Sequence, residues 1–117
     1  MLAVAVAGLL LVAGCWEDTA EDDDTLPPEG KGSMVVDNRT SDTIGVYVSG
    51  VRTATVHSLE SVAVFLDPGF YRVVLSEEDG FRNYRGDVDV LLDHRTIMGV
   101  DRDASNASAY AVSLEFD

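Results

Sequence analysis

Few residues in this 117-residue chain have the types and spacing that chemistry requires. Asp101-Arg102-Asp103-Ala104-Ser105-Asn106 sets oxygen-bearing side chains on Asp101, Asp103 and Ser105, at alternate positions. A calcium loop begins this way, because a hard cation needs about six to eight oxygens converging on it. An EF-hand would continue with glycine and then a bidentate glutamate, where this chain has Asn106 and Val112. The plain alternative is a polar turn between two strands, with Asn106 suited to a left-handed backbone. Asp87 and Asp89 share one face of a strand, roughly 7 Å apart at about 3.3 Å per residue. Paired carboxylates can do acid/base work, but such a pair is also what the wet face of a strand looks like, neutralised across the sheet by Arg72 or Arg85. His57 and His94 fall near strand ends and lack the further ligands that zinc needs. No Gly-x-Ser-x-Gly or similar nucleophile arrangement occurs. Asn38-Arg39-Thr40 and Asn106-Ala107-Ser108 fit the N-glycosylation pattern, yet both read as turns. No catalytic residue is assigned, and no cofactor is expected.

Cys15 is the only cysteine, so no disulfide can form within the chain. It ends a continuous apolar run, Leu2 to Gly14, that is too short to span a bilayer and has the length of an export signal. Val12-Ala13-Gly14-Cys15 resembles the lipobox of bacterial lipoproteins: an aliphatic residue, two small ones and a cysteine. The resemblance implies a diacylglyceryl thioether on Cys15, cleavage before it, and usually acylation of the new amine. A thiolate is the best side-chain nucleophile for that bond, and each buried CH₂ of the acyl chains contributes about 0.8 kcal/mol to anchoring. Signal peptides of this family begin with lysine or arginine; only the Met1 amine is positive here, so the true start is expected upstream. In enterobacterial lipoproteins aspartate after the cysteine favours the inner membrane. Trp16 stands there instead, which favours the outer membrane; its indole suits the headgroup level, and a tryptophan in the disordered tether with no role of its own fits equally well. The alternative for Leu2 to Cys15, a buried core segment ending in an inert thiol, fits poorly with Glu17-Asp18 immediately after it.

The elements that must position these residues follow from the patterning. Glu17 to Gly32, EDTAEDDDTLPPEGKG, cannot support a core and reads as a disordered, extended spacer. A calcium role for Glu21 to Asp24 is weaker than that of a solvated charge run. Net charge is −13. Seven acids against Lys31 give −6 up to Gly32, and fourteen acids against seven arginines give −7 beyond it. With no cationic footprint the chain is not expected to bind nucleic acid, nor anionic lipid headgroups by charge. The expected organisation is therefore a lipoprotein signal peptide (1–14), a lipidated cysteine with its acidic tether (15–32), and one domain (33–117).

From Met34 onward apolar residues alternate with period two, and turn residues recur every eight to twelve positions. Strands are expected around Met34–Val36, Ile44–Val48, Val51–His57, Val62–Leu66, Tyr71–Leu75, Tyr84–Leu92, Arg95–Val100 and Ala109–Phe116. Ser49-Gly50 reads as a two-residue hairpin turn, and Asp67-Pro68-Gly69-Phe70 as a type II turn. The expected fold class is all-β, a small antiparallel β-sandwich of about seven to eight strands.

Val46-Tyr47-Val48-Ser49-Gly50 is similar to the "VYVDG" hairpin, and Leu66-Asp67-Pro68-Gly69-Phe70-Tyr71-Arg72-Val73 to the "L-x-PG-x-Y-x-V" stretch, of PEGA-type and carboxypeptidase-regulatory-like (transthyretin-like) domains. Over residues 34–100 the chain resembles this group, although the Pro-x-Gly-Ala approach to the PEGA hairpin is replaced by Asn38 to Thr43. The resemblance implies a sandwich serving as an extracytoplasmic accessory module. The functional expectation is a non-enzymatic, lipid-anchored protein of the bacterial cell envelope, acting as a spacer or contacting protein or glycan. The alternative is a calcium-dependent adhesion module built on Asp101 to Asn106. A hydrolase would need a pocket, for which a compact domain packed by short aliphatics has little room.

Overall fold

A computed structural model describes residues 25–117. Cys15, the lipobox residues Val12, Ala13 and Gly14, Trp16 and the acidic run to Asp24 lie outside the described residues. Eight strands follow one another, and no described residue is helical: β1 (Gly32–Asn38), β2 (Ile44–Val48), β3 (Val51–Val56), β4 (Ser61–Leu66), β5 (Gly69–Glu77), β6 (Asn83–Val90), β7 (Arg95–Arg102) and β8 (Tyr110–Phe116). They form two four-stranded sheets, ordered β4-β1-β7-β8 and β3-β2-β5-β6.

The period-two patterning explains the packing directly. Met34, Val36, Met98 and Val100 alternate inward from the first sheet, and Ile44, Val46, Val73, Leu75, Val88 and Val90 from the second. All ten are almost completely buried. The β-branched valines and Ile44 among them are stiff at χ1 and fit β structure, and Met34, Met98 and Leu75 fill the remaining space between the sheets.

The hairpins behave as local chemistry dictates. Ser49 and Gly50 have φ of 52° and 85°, the paired positive values of a type I′ turn joining β2 to β3. Gly32 is required for a different reason: a Cβ there would lie 2.4 Å from the Leu91 carbonyl oxygen and 2.5 Å from Val90 Cγ1. This close approach lets the segment between β6 and β7 cross over the start of β1.

Two expectations change. Asp67-Pro68-Gly69 is not a type II turn. Gly69 has φ of 156°, is already the first residue of β5 and pairs with Val90. β4 and β5 belong to different sheets, so this segment carries the chain across the sandwich rather than reversing it within one sheet. In addition, β1 and β7 pair in parallel, with Met34 beside Thr96 and Val36 beside Met98, whereas the other five ladders are antiparallel. A parallel pair needs a long crossover, and the whole second sheet supplies it. Both strands are entered from one end, where Ser33 N–H donates to the His94 carbonyl (3.0 Å) and Asp93 N–H to the Lys31 carbonyl (2.9 Å).

The end of the expected tether belongs to the domain. Lys31 N–H donates to the Pro28 carbonyl, Lys31 Nζ lies 2.8 Å from Asp67 Oδ1, and Arg95 Nη1 donates to Thr25 Oγ1 at 2.8 Å. Composition marks this stretch as unable to form a core of its own. It does not register that a preformed sheet offers its backbone and hydroxyl partners.

Candidate functional site

The chain crosses between sheets beside the β7–β8 hairpin, and most of the domain's buried polar groups collect there. Asn38 ends β1 with 1% of its surface exposed. Its Nδ2 donates to the carbonyls of Asp42 (2.8 Å), His57 (3.0 Å) and Val56 (3.3 Å). Its Oδ1 accepts from Thr40 N–H (2.9 Å) and Thr40 Oγ1–H (2.7 Å). Thr40 Oγ1 in turn accepts from Asp42 N–H, and Ser58 Oγ donates to the Thr40 carbonyl. One amide thus closes the β1–β2 crossover and clamps it to the end of β3. Burying so many backbone polar groups is tolerable only because they are paired.

Asp42 continues the network. Its buried carboxylate accepts from Arg102 Nη2 (2.5 Å) and from the Tyr110 hydroxyl (3.1 Å). Hydrogen bonding from Arg102 holds the Asp42 carboxyl below its usual range, against the opposing effect of burial, and Tyr110 adds to the lowering. Burial raises the Tyr110 phenol, and the negative charge of Asp42 raises it further. The Arg82 guanidinium lies 6.0 Å from the Tyr110 ring centroid, and its Nη1 donates to the Ala109 carbonyl at 3.1 Å. A carboxylate held ionised beside a phenol held protonated has neither group poised to exchange a proton near neutral pH. The network is suited to holding loops together.

The β7–β8 hairpin gives each candidate calcium ligand a partner within the protein. Asp101 is at the exposed end of β7, with Arg39 Nη1 3.6 Å from Oδ2. Asp103 Oδ1 accepts from both Ser105 N–H and Ser105 Oγ–H at 2.9 Å, and these bonds lower its pKa. Asn106 Oδ1 accepts from Ser108 N–H (3.0 Å) and Oγ–H (2.9 Å) in the same way. The alternating oxygens therefore build two successive side-chain-capped turns. No three His, Cys, Asp or Glu side chains group to hold a metal among the described residues.

Asp87 faces Arg72 across β5 and β6, with Arg72 Nε 2.7 Å from Oδ1, whereas Asp89 faces Phe70. The first carboxylate is neutralised across the strands, as the spacing of the alternate faces suggests. His57 and His94 sit at opposite ends of the sandwich: the His57 carbonyl accepts from Asn38, and His94 Nδ1 lies 2.9 Å from the Asp117 carbonyl. Of the two glycosylation patterns, Asn38 is buried with its amide fully engaged, and Asn106 is exposed at the hairpin tip. Sequence reasoning missed the network of Asn38, Thr40, Asp42, Arg102 and Tyr110. Its only trace is the dense Asn38-Arg39-Thr40-Ser41-Asp42 run, which reads equally well as a solvated turn.

No family model matches this chain, and no curated protein matches it. Among solved structures it is similar to the N-terminal domain of AlgF from P. aeruginosa, with a TM-score of 0.55 and 18% identity over 77% of this chain and 96% of that one. At that identity the likeness is one of fold: a small all-β sandwich domain.

Proposed function

We propose that this chain is a lipid-anchored protein of the bacterial cell envelope whose β-sandwich serves as a non-enzymatic binding or spacer module. The observation that carries the reading is the order of segments: an apolar run ending in Val12-Ala13-Gly14-Cys15, an acidic stretch, then a domain whose polar groups are engaged in holding its own loops. The anchor is acyl chain on Cys15, the favoured site is the outer membrane, and the partners are protein or glycan rather than nucleic acid. The calcium-dependent alternative draws no support from its loop, where Asp103 caps Ser105 and Asp101 lies beside Arg39. Fractionation of cells expressing the chain tests the reading. The chain is expected in the membrane fraction and in the detergent phase on phase partitioning, and Cys15→Ser is expected to lose the acylated form. Equal behaviour of the two chains would reject lipid anchoring.

A further inference from the structure

The four sheet edges are not equally protected. On β3 an irregularity at Thr53, opposite the Val46–Tyr47 step of β2, and the ion pair of Arg52 with Glu78 interrupt the edge. On β6 charged residues alternate, Arg85, Asp87 and Asp89. β4 keeps its inward residues Val62, Val64 and Leu66 covered at least in part. β8 differs from all three. Its inward face carries Tyr110, Val112, Leu114 and Phe116, but burial fades along the strand, leaving Leu114 41% and Phe116 53% exposed. The second sheet reaches the start of this strand, where Asn83 bridges Ala109 and its N–H donates to the Ser108 carbonyl at 3.1 Å, and burial declines from Tyr110 through the partly covered Val112 to Leu114 and Phe116.

Among the described residues the backbone of that edge is also open. Arg95 and Asp117 exchange both of their backbone hydrogen bonds, at 3.2 and 2.9 Å. Alternation along an antiparallel ladder then turns Ala111, Ser113 and Glu115 toward β7, and turns the N–H and C=O of Val112, Leu114 and Phe116 outward. Strand edges of this kind, without lysine, proline or bulge, are templates for another strand.

We propose that β8 pairs antiparallel with β8 of a second copy of this chain, about a two-fold axis through Leu114. In that register Leu114 faces Leu114, and Val112 faces Phe116 of the second copy. The outward N–H and C=O groups of these residues meet in hydrogen-bonded pairs. Glu115 faces Ser113 and Asp117 faces Ala111, so no like charges oppose, and the half-exposed Leu114 and Phe116 are covered from both sides. The Asn83–Ala109 bridge stays clear, because the partner strand runs along the edge beyond it. Each protomer contributes the same patch, as a two-fold interface demands, and the two four-stranded sheets become continuous. This inference goes beyond the anchoring reading and does not rest on it.

Cysteine cross-linking reads the register directly. The full chain carrying Cys15→Ser, so that only the introduced thiol remains, is oxidised in mild detergent with either Leu114→Cys or Ala111→Cys. Directly opposed residues of a hydrogen-bonded pair lie about 5.5 Å apart at Cα, within disulfide reach. Two copies of residue 111 would be on the order of 20 Å apart along the strands. A disulfide dimer several-fold more abundant for Leu114→Cys is expected; equal yields from the two variants would overturn the proposal. Should Leu114→Cys lose its strand signal in circular dichroism, a mixture of Val112→Cys chains and Phe116→Cys chains reads the same register. The mixture is expected to cross-link and each variant alone to remain single. Failure of the mixture to cross-link would equally overturn it.

Discussion

The Asn38 side chain makes five hydrogen bonds from a buried position. Its amide joins the β1–β2 crossover to the end of β3, and it has no route to water. Truncation leaves buried carbonyls and the Thr40 groups without partners, an effect that costs about 2–4 kcal/mol. Asn38→Ala is therefore expected to shift the urea midpoint strongly downward with an unchanged slope, and a shift below that of a surface substitution would contradict the assignment. Asp42 makes a second, pH-dependent contribution. Its folded pKa is lowered chiefly by Arg102, so the stabilisation is fully present above the unfolded carboxylate pKa, about 3.9, and is lost as pH falls through the lower folded value. Asp42→Asn should lower stability at pH 7 and flatten the loss of stability below about pH 4; melting curves from pH 2 to 7 measure both. These residues were visible in the sequence only as a polar run between strands. Whether such a run is solvated or buried is decided by how two sheets close over it, which no local pattern encodes.

Strand positions were legible because each strand states its own inward face. Ser49-Gly50 was legible for the same reason: the turn's positive φ values are a demand on two adjacent residues. A Cβ at residue 50 would meet nothing within 4 Å, so Gly50→Ala carries only the backbone cost of φ 85°, about 1 kcal/mol. Its melting temperature should fall by roughly 4–8 °C for a domain of this size; an unchanged value would show that the turn relaxes. Asp67-Pro68-Gly69 was misread because turn letters announce a change of direction and do not state which sheet receives the next strand. The parallel pairing of β1 with β7 escaped for a similar reason, since it depends on a crossover through the entire second sheet. The open edge of β8 lies at this scale too. Its alternation promised a buried face, yet Leu114 and Phe116 at its far end stay 41% and 53% exposed.

At the scale of the whole molecule, the apolar residues fall into two groups in the sequence: the inward positions from Met34 to Tyr110 that fill the sandwich, and the run from Leu2 to Gly14 ahead of the acidic stretch. The candidate calcium loop caps its own turns, Asp87 is neutralised across the strands by Arg72 while Asp89 faces Phe70, and the His94 ring lies against the Asp117 carbonyl. The most direct test is the intact mass of the protein recovered from bacterial membranes, alongside the Cys15→Ser variant. A mass equal to residues 15–117 plus a diacylglyceryl group and an acyl chain, absent from the variant, is the predicted result. An unmodified chain that retains residues 1–14 would contradict the account.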